Sequence, residues 1–157
     1  MEKRIKLDKK DRQILKILQK NGRITNAQLA LDVGLSPAPT LERVKKLENS
    51  GIIDSYHAHL NHAALGLGVS TFVKVTLKGH NKESINRFAN EIQKVDEVVE
   101  CHHTTGSADF MLKVVAQDIP AYQELMLESI TEIMEINEIE SMVILSTLKD
   151  TKAVPIP

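Results

Sequence analysis

Tryptophan is missing from this 157-residue chain, and aromatic residues make up only 3% of it. That argues against a stacking platform for single-stranded nucleic acid, which needs exposed rings. The single cysteine, Cys101, leaves no internal disulfide to form and suits a reducing cytoplasm. No apolar run reaches the roughly 18 residues of a membrane span. The first ten residues, MEKRIKLDKK, carry charge but no apolar stretch, so they do not read as a signal peptide. What is present is ordinary for a soluble globular protein: 42% hydrophobic and 26% charged residues.

The net charge of −1 hides an asymmetry. Residues 1–60 hold 12 Lys and Arg against 7 Asp and Glu, a net +5, so the remainder carries −6. A basic N-terminal part is a candidate for binding polyanions. Within it, Asp8 and Asp11 precede Ile14, Leu15, Ile17 and Leu18, the start and apolar spacing of an amphipathic helix. Thr25 and Gln28 have the form of a capping box for a second, short helix ending at Gly34. Ser36 is placed to cap a third. Pro37 and Pro39 then fall at its first and third positions, where no internal hydrogen bond is lost and the helix start is stiffened.

At 100° per residue, Leu41, Val44 and Leu47 of the third helix share one side. Pro39, Glu42, Lys45, Lys46 and Asn49 share the other, with Arg43 at its edge. Two short helices joined by a tight Gly-containing turn, after a supporting helix, match a helix-turn-helix whose second member would enter the major groove. Gly51 closes the helix, and Ile52-Ile53 is expected to begin a strand running towards Leu60.

The skeleton D-R-x-I-L-x-x-L-Q-x-x-G-R, then L-A-x-x-V-G-L-S-x-x-P, then R-V-x-x-L-E-x-x-G-I-I resembles the N-terminal half of the Lrp/AsnC family. The stretch VVECHHTTGSADFMLKVVAQDIPAY resembles the family's effector-domain signature, V-x-E-C-H, then G-x-x-D, then D-x-x-x-Y. The likeness spans about residues 7–150 and is nearest to the leucine-responsive branch. It implies a winged helix-turn-helix with Ser36, Pro39, Thr40, Arg43 and Lys46 facing double-stranded DNA. Arg43 suits a bidentate pair with guanine or a phosphate clamp, and Lys46 a phosphate. The alternative is an architectural DNA-wrapping protein that needs no ligand.

Beyond a linker or hinge at 56–69, residues 70–150 alternate and cycle as βαββαβ. The fold class expected is therefore α+β, a winged helix-turn-helix (1–55) followed by a ferredoxin-like domain. The resemblance implies that such domains pair through their sheets into a homodimer, which assembles further to an octamer. It also implies that an amino-acid effector, leucine or methionine, binds at Thr104, Thr105, Gly106 and Asp109. Met126 and Met142 would contact an aliphatic side chain. Asp109 could accept from an α-ammonium, although a turn carboxylate more often caps its own backbone. The family's Pro-Gly after the last helix is replaced here by IMEINEIE, which predicts a longer helix.

His57, His59 and His62 could bind a metal, but no Cys or carboxylate completes the set, so no metal site is assigned. Cys101 and His103 share a strand face as a thiol and an imidazole, yet no catalytic constellation follows. No cofactor is expected, and the chain reads as a nucleoid-associated regulator rather than an enzyme.

Overall fold

Asp8 begins the first helix as a reciprocal cap. Its carboxylate accepts from the Asp11 N–H, and Asp11 accepts in return from the Asp8 N–H. This satisfies two donors that a helix start leaves without internal partners. The structure, a computed structural model, describes residues 6–157. Helix α1 runs Lys9–Leu18, α2 Asn26–Val33 and α3 Pro37–Asn49. Ile14, Leu15, Leu29, Val33 and Leu47 form the apolar centre of these three helices. The Thr25 hydroxyl accepts from the Gln28 N–H as expected, but the Gln28 side chain turns outward to Asp32, so only half of that capping box exists.

The expected strand from Ile52 is not formed. The N–H groups of Ile52 and Ile53 both return to the Leu47 carbonyl, closing the end of α3, and are therefore lost to any ladder. Residues 54–61 run without regular structure.

The second part holds β1 Val69–Leu77, α4 Lys82–Ile92, β2 Val98–His103, β3 Phe110–Ala116, α5 Ile119–Leu125 and β4 Ile136–Val143. The sheet order is β2-β3-β1-β4, with every neighbouring pair antiparallel. That is the ferredoxin-like βαββαβ arrangement. Register puts Val73 opposite Leu112 and Val75 opposite Phe110, all buried on the face that carries the helices. Phe88 of α4 lies 4.5 Å from the Phe110 ring, centroid to centroid. Phe72, Lys74, Met111, Lys113, Glu140 and Met142 occupy the opposite face, because successive strand residues alternate.

The last helix is shorter than predicted. After Leu125 the backbone widens into a π-helical turn, Met126–Ile130, with the Thr131 N–H reaching back five residues to the Met126 carbonyl. The wider turn shifts the apolar phase, so Ile130 and Ile133 are buried while Met134 is exposed.

The chain divides into two compact units. One comprises residues up to His59 together with Lys149–Pro157, and the other comprises Leu60–Leu148. No helix among the described residues is long and apolar enough to cross a membrane.

Candidate nucleic-acid interface and effector turn

The turn between α2 and α3 is made by Gly34, whose φ of 65° and ψ of 49° are costly for residues with a Cβ. The Leu35 N–H bonds the Ala30 carbonyl across it, a helix stop followed at once by Ser36. The Asn26 side chain donates to the Pro37 carbonyl at 2.8 Å, joining the start of α2 to the first turn of α3. The two helices are thus held by backbone and side-chain bonds as well as packing. Pro37 occupies the first helical position, and Ser36 has the extended backbone of an N-cap.

Within this frame the five residues expected at DNA separate. Ser36, Pro39 and Lys46 are exposed. The Ser36 hydroxyl makes no capping bond, contrary to expectation, which leaves it available to an outside acceptor. Thr40 must be corrected: it is fully buried, and its hydroxyl donates to the Ser36 carbonyl at 3.0 Å. It anchors the helix start from inside and cannot reach a groove. Leu41 is corrected in the opposite sense, since it is 43% exposed rather than part of the core. An apolar side chain there suits a thymine methyl.

Arg43 is engaged within the unit. Its Nη1 bonds Asp8 at 2.6 Å and Asp11 at 2.7 Å, and the Asp11 side chain is only 3% exposed. The bonds to Asp8 and then Asp11 raise the guanidinium pKa further. The Asp11 N–H, followed by Arg43, holds the Asp8 carboxyl below its ordinary value. Arg43 is therefore a clamp from α3 onto the capped start of α1. Sequence periodicity missed it because the partners lie 32 and 35 residues away. The paired acids at the start of α1 were the available clue. Lys10 is similarly spent, donating to the Val33 carbonyl at the end of α2. Lys45 and Lys46 remain exposed and make no ion pair among the described residues. They are cations of the helix surface suited to phosphate.

The second candidate site is the turn between β2 and β3. The Thr104 N–H bonds the Asp109 carbonyl at 2.9 Å, and the Thr104 hydroxyl donates to the Ala108 carbonyl at 3.0 Å. Gly106, at φ 138°, forms the tip between exposed Thr105 and Ser107. The Thr105, Gly106 and Ser107 N–H groups have no hydrogen-bond partner among the described residues. Asp109 is not a free acceptor for an ammonium. Its Oδ2 takes the Leu77 N–H at 2.8 Å, and its Oδ1 lies 3.0 Å from His80 Nδ1. The carboxylate therefore staples the start of β3 to the end of β1. Met126 is half-buried against the apolar core of this unit, which commits its side chain to packing. Cys101 is exposed, and partial burial raises its thiol pKa, so it has none of the activation a nucleophile needs. No metal-holding cluster occurs among the described residues.

Residues 7–54 match the winged helix-turn-helix DNA-binding family, and residues 70–154 match the Lrp/AsnC ligand binding domain. The chain is 39% identical over 145 residues to the leucine-responsive regulatory proteins of Klebsiella pneumoniae and Escherichia coli K12, covering 92% of this chain and 88% of each relative. Among solved structures, a Neisseria meningitidis transcriptional regulator in complex with L-methionine is 35% identical. It aligns with a TM-score of 0.91 over 96% of this chain and 97% of that one. Escherichia coli AsnC is 31% identical, with a TM-score of 0.87 over 96% and 100% of the two chains.

Proposed function

The chain belongs to the Lrp/AsnC family of DNA-binding transcription regulators, and from that premise we propose how its parts act. Helix α3 enters the major groove by its proline-stiffened start. Ser36 donates to a backbone phosphate, Pro39 and Leu41 make apolar contact with base edges, and Lys45 and Lys46 neutralise phosphates. Arg43 and Thr40 hold the helix at the required angle without touching DNA. The observation that carries this reading is the division of α3 into an anchored set and an exposed set within its first ten residues.

The sheet face bearing Phe72, Met111 and Met142 pairs with the same face of a second copy, giving a homodimer with two recognition helices. Lys74–Glu140 at 2.9 Å and Lys113–Glu100 at 3.4 Å flank those apolar residues, so charges on the face are already matched when it is covered. Dimers assemble further to an octamer. The effector is an amino acid whose carboxylate takes the open N–H groups at Thr105–Ser107. Relatives solved with L-methionine favour that ligand, with leucine second. Effector binding biases the assembly by a coupling of typically about 1–3 kcal/mol.

Selection of bound fragments from random duplex DNA, with and without methionine and leucine, tests the whole. A two-fold symmetric motif whose recovery changes with one amino acid is expected. Equal recovery of unrelated sequences would instead mark a wrapping protein. An unchanged motif in both conditions would remove the effector from the scheme.

A further inference from the structure

The chain crosses between its two units twice, once after His59 and once before Lys149. The final stretch, AVPIP, returns to the helix-turn-helix unit and docks on it. The Val154 N–H donates to Gln19 Oε1 at 2.6 Å, while Gln19 Nε2 donates to the Val154 carbonyl at 3.2 Å. One side-chain amide thereby reads both polar groups of one residue, as a neighbouring strand would. Arg12 Nε donates to the Pro157 carbonyl at 2.6 Å. Between these contacts Ile156 packs against the apolar centre of the three helices. Beside the docked segment a cavity of about 320 Å³ stays open, with Val154–Pro157 forming one wall and Leu7, Leu15, Leu18, Ile53 and Tyr56 the others.

The chemistry is that of a peptide groove. Pro155 and Pro157 have no N–H to leave unpaired, and both fix φ, so the segment gives up little freedom when it docks. Specificity comes from one apolar anchor between prolines and from one peptide group read by an amide.

We propose that the apolar surface of Leu7, Leu15, Leu18 and Ile53, with Gln19 and Arg12 beside it, is a docking site for an extended Pro-apolar-Pro segment. Its occupant, Val154–Pro157 of the same chain, gives the DNA-binding unit a second tether. Ten residues separate the end of β4 from Val154. A flexible connection of that length holds the segment at an effective concentration in the millimolar range, so a docking affinity too weak to matter between molecules is sufficient within one. Docked, the unit is linked at two points and explores less space; released, it is held only through residue 59. A pair of half-sites at one fixed spacing favours the doubly held form.

The test uses the full-length chain carrying Ile156→Asp, with a fluorescent synthetic peptide of sequence DTKAVPIP as the probe. Anisotropy should show the variant binding the peptide at least about tenfold more tightly than the unaltered protein, whose docking surface is covered by its own segment. A control peptide with Asp in place of the isoleucine should not bind. Amides of Leu15–Gln19 should exchange faster in the variant. The variant should also lose about threefold or more of its discrimination between half-sites at the preferred spacing and half a turn away. Failure of Ile156→Asp to bind the peptide overturns the groove, and peptide binding with unchanged spacing discrimination overturns the tether. Gln19→Ala removes the paired bonds without placing a charge on the docking surface. Amide exchange at Leu15–Gln19 and spacing discrimination should move as in Ile156→Asp by a smaller amount, while peptide binding should not tighten, because the same bonds hold the probe and the chain's own segment; no change in exchange or discrimination would overturn the tether even if the Ile156→Asp chain misfolds. The peptide readout needs no DNA, so its result stands apart from which residues of α3 read bases.

Discussion

Replacing Arg43 by methionine separates its two conceivable roles, because it keeps the apolar stem and removes the charge. Two bonds are lost. The one to Asp8 lies between side chains 31% and 51% exposed, so solvent screens it and its loss adds little. The one to Asp11 is different, since that carboxylate is 3% exposed and loses its charged partner. An orphaned buried acceptor of this kind costs about 1.5–3 kcal/mol, which the part-exposed guanidinium reduces towards the lower end. The sum is about 2 kcal/mol. For a unit of this size that lowers the melting temperature by roughly 8–16 °C. The chain has no tryptophan, so the loss is best followed by hydrogen exchange at α1 and α3 or by calorimetry. DNA binding, measured below the new transition, should weaken while keeping the same dependence on salt, because Arg43 is already neutralised by two carboxylates. Each phosphate contact contributes about 0.9 to the slope of log affinity against log salt. If Arg43→Met lowers that slope by about one and leaves the melting temperature where it was, the clamp is refuted and Arg43 is a phosphate ligand.

Asp109→Ala should destabilise the second unit by about 1.5–3 kcal/mol in the absence of any amino acid, because the Leu77 N–H is left without an acceptor; chemical denaturation with no change in midpoint would return Asp109 to the role of a free ligand group. Gly34→Ala should cost about 1–2 kcal/mol through its positive φ and weaken operator binding with it, and an unchanged melting curve would show the turn to be more tolerant than its dihedrals imply. Acid should loosen the N-terminal unit. The Asp8 pKa is lowered on folding, so its contribution is complete above the ordinary value of about 4 and fades as pH falls through the lowered one. Asp8→Asn should therefore flatten the fall in melting temperature as pH drops below about 5, and equal acid sensitivity with and without Asp8 would contradict the assignment.

Helix phase and strand alternation were legible from the chain alone, because both follow from backbone geometry that acts within a few residues. Asp8 and Asp11 cap α1, Ile85, Phe88 and Ile92 line α4, and the alternation of β1 buries Val73 and Val75 as their spacing requires. The same local patterns gave the order βαββαβ and the helix-turn-helix frame, and the family motifs assigned the two to a DNA-binding part and an effector domain. What local pattern could not supply was the choice of partner. Whether Arg43 meets DNA or Asp11, and whether Asp109 meets a ligand or the Leu77 N–H, depends on groups 32 residues away. Thr40 is polar by composition and buried by packing, and Leu41 the reverse, because the direction from which α2 approaches α3 decides which side is covered. The same holds for Gln19 and Val154, 135 residues apart. A side chain's periodic position says which face it occupies; only the folded chain says what lies opposite, and that pairing determines whether a charged or polar group is free to act.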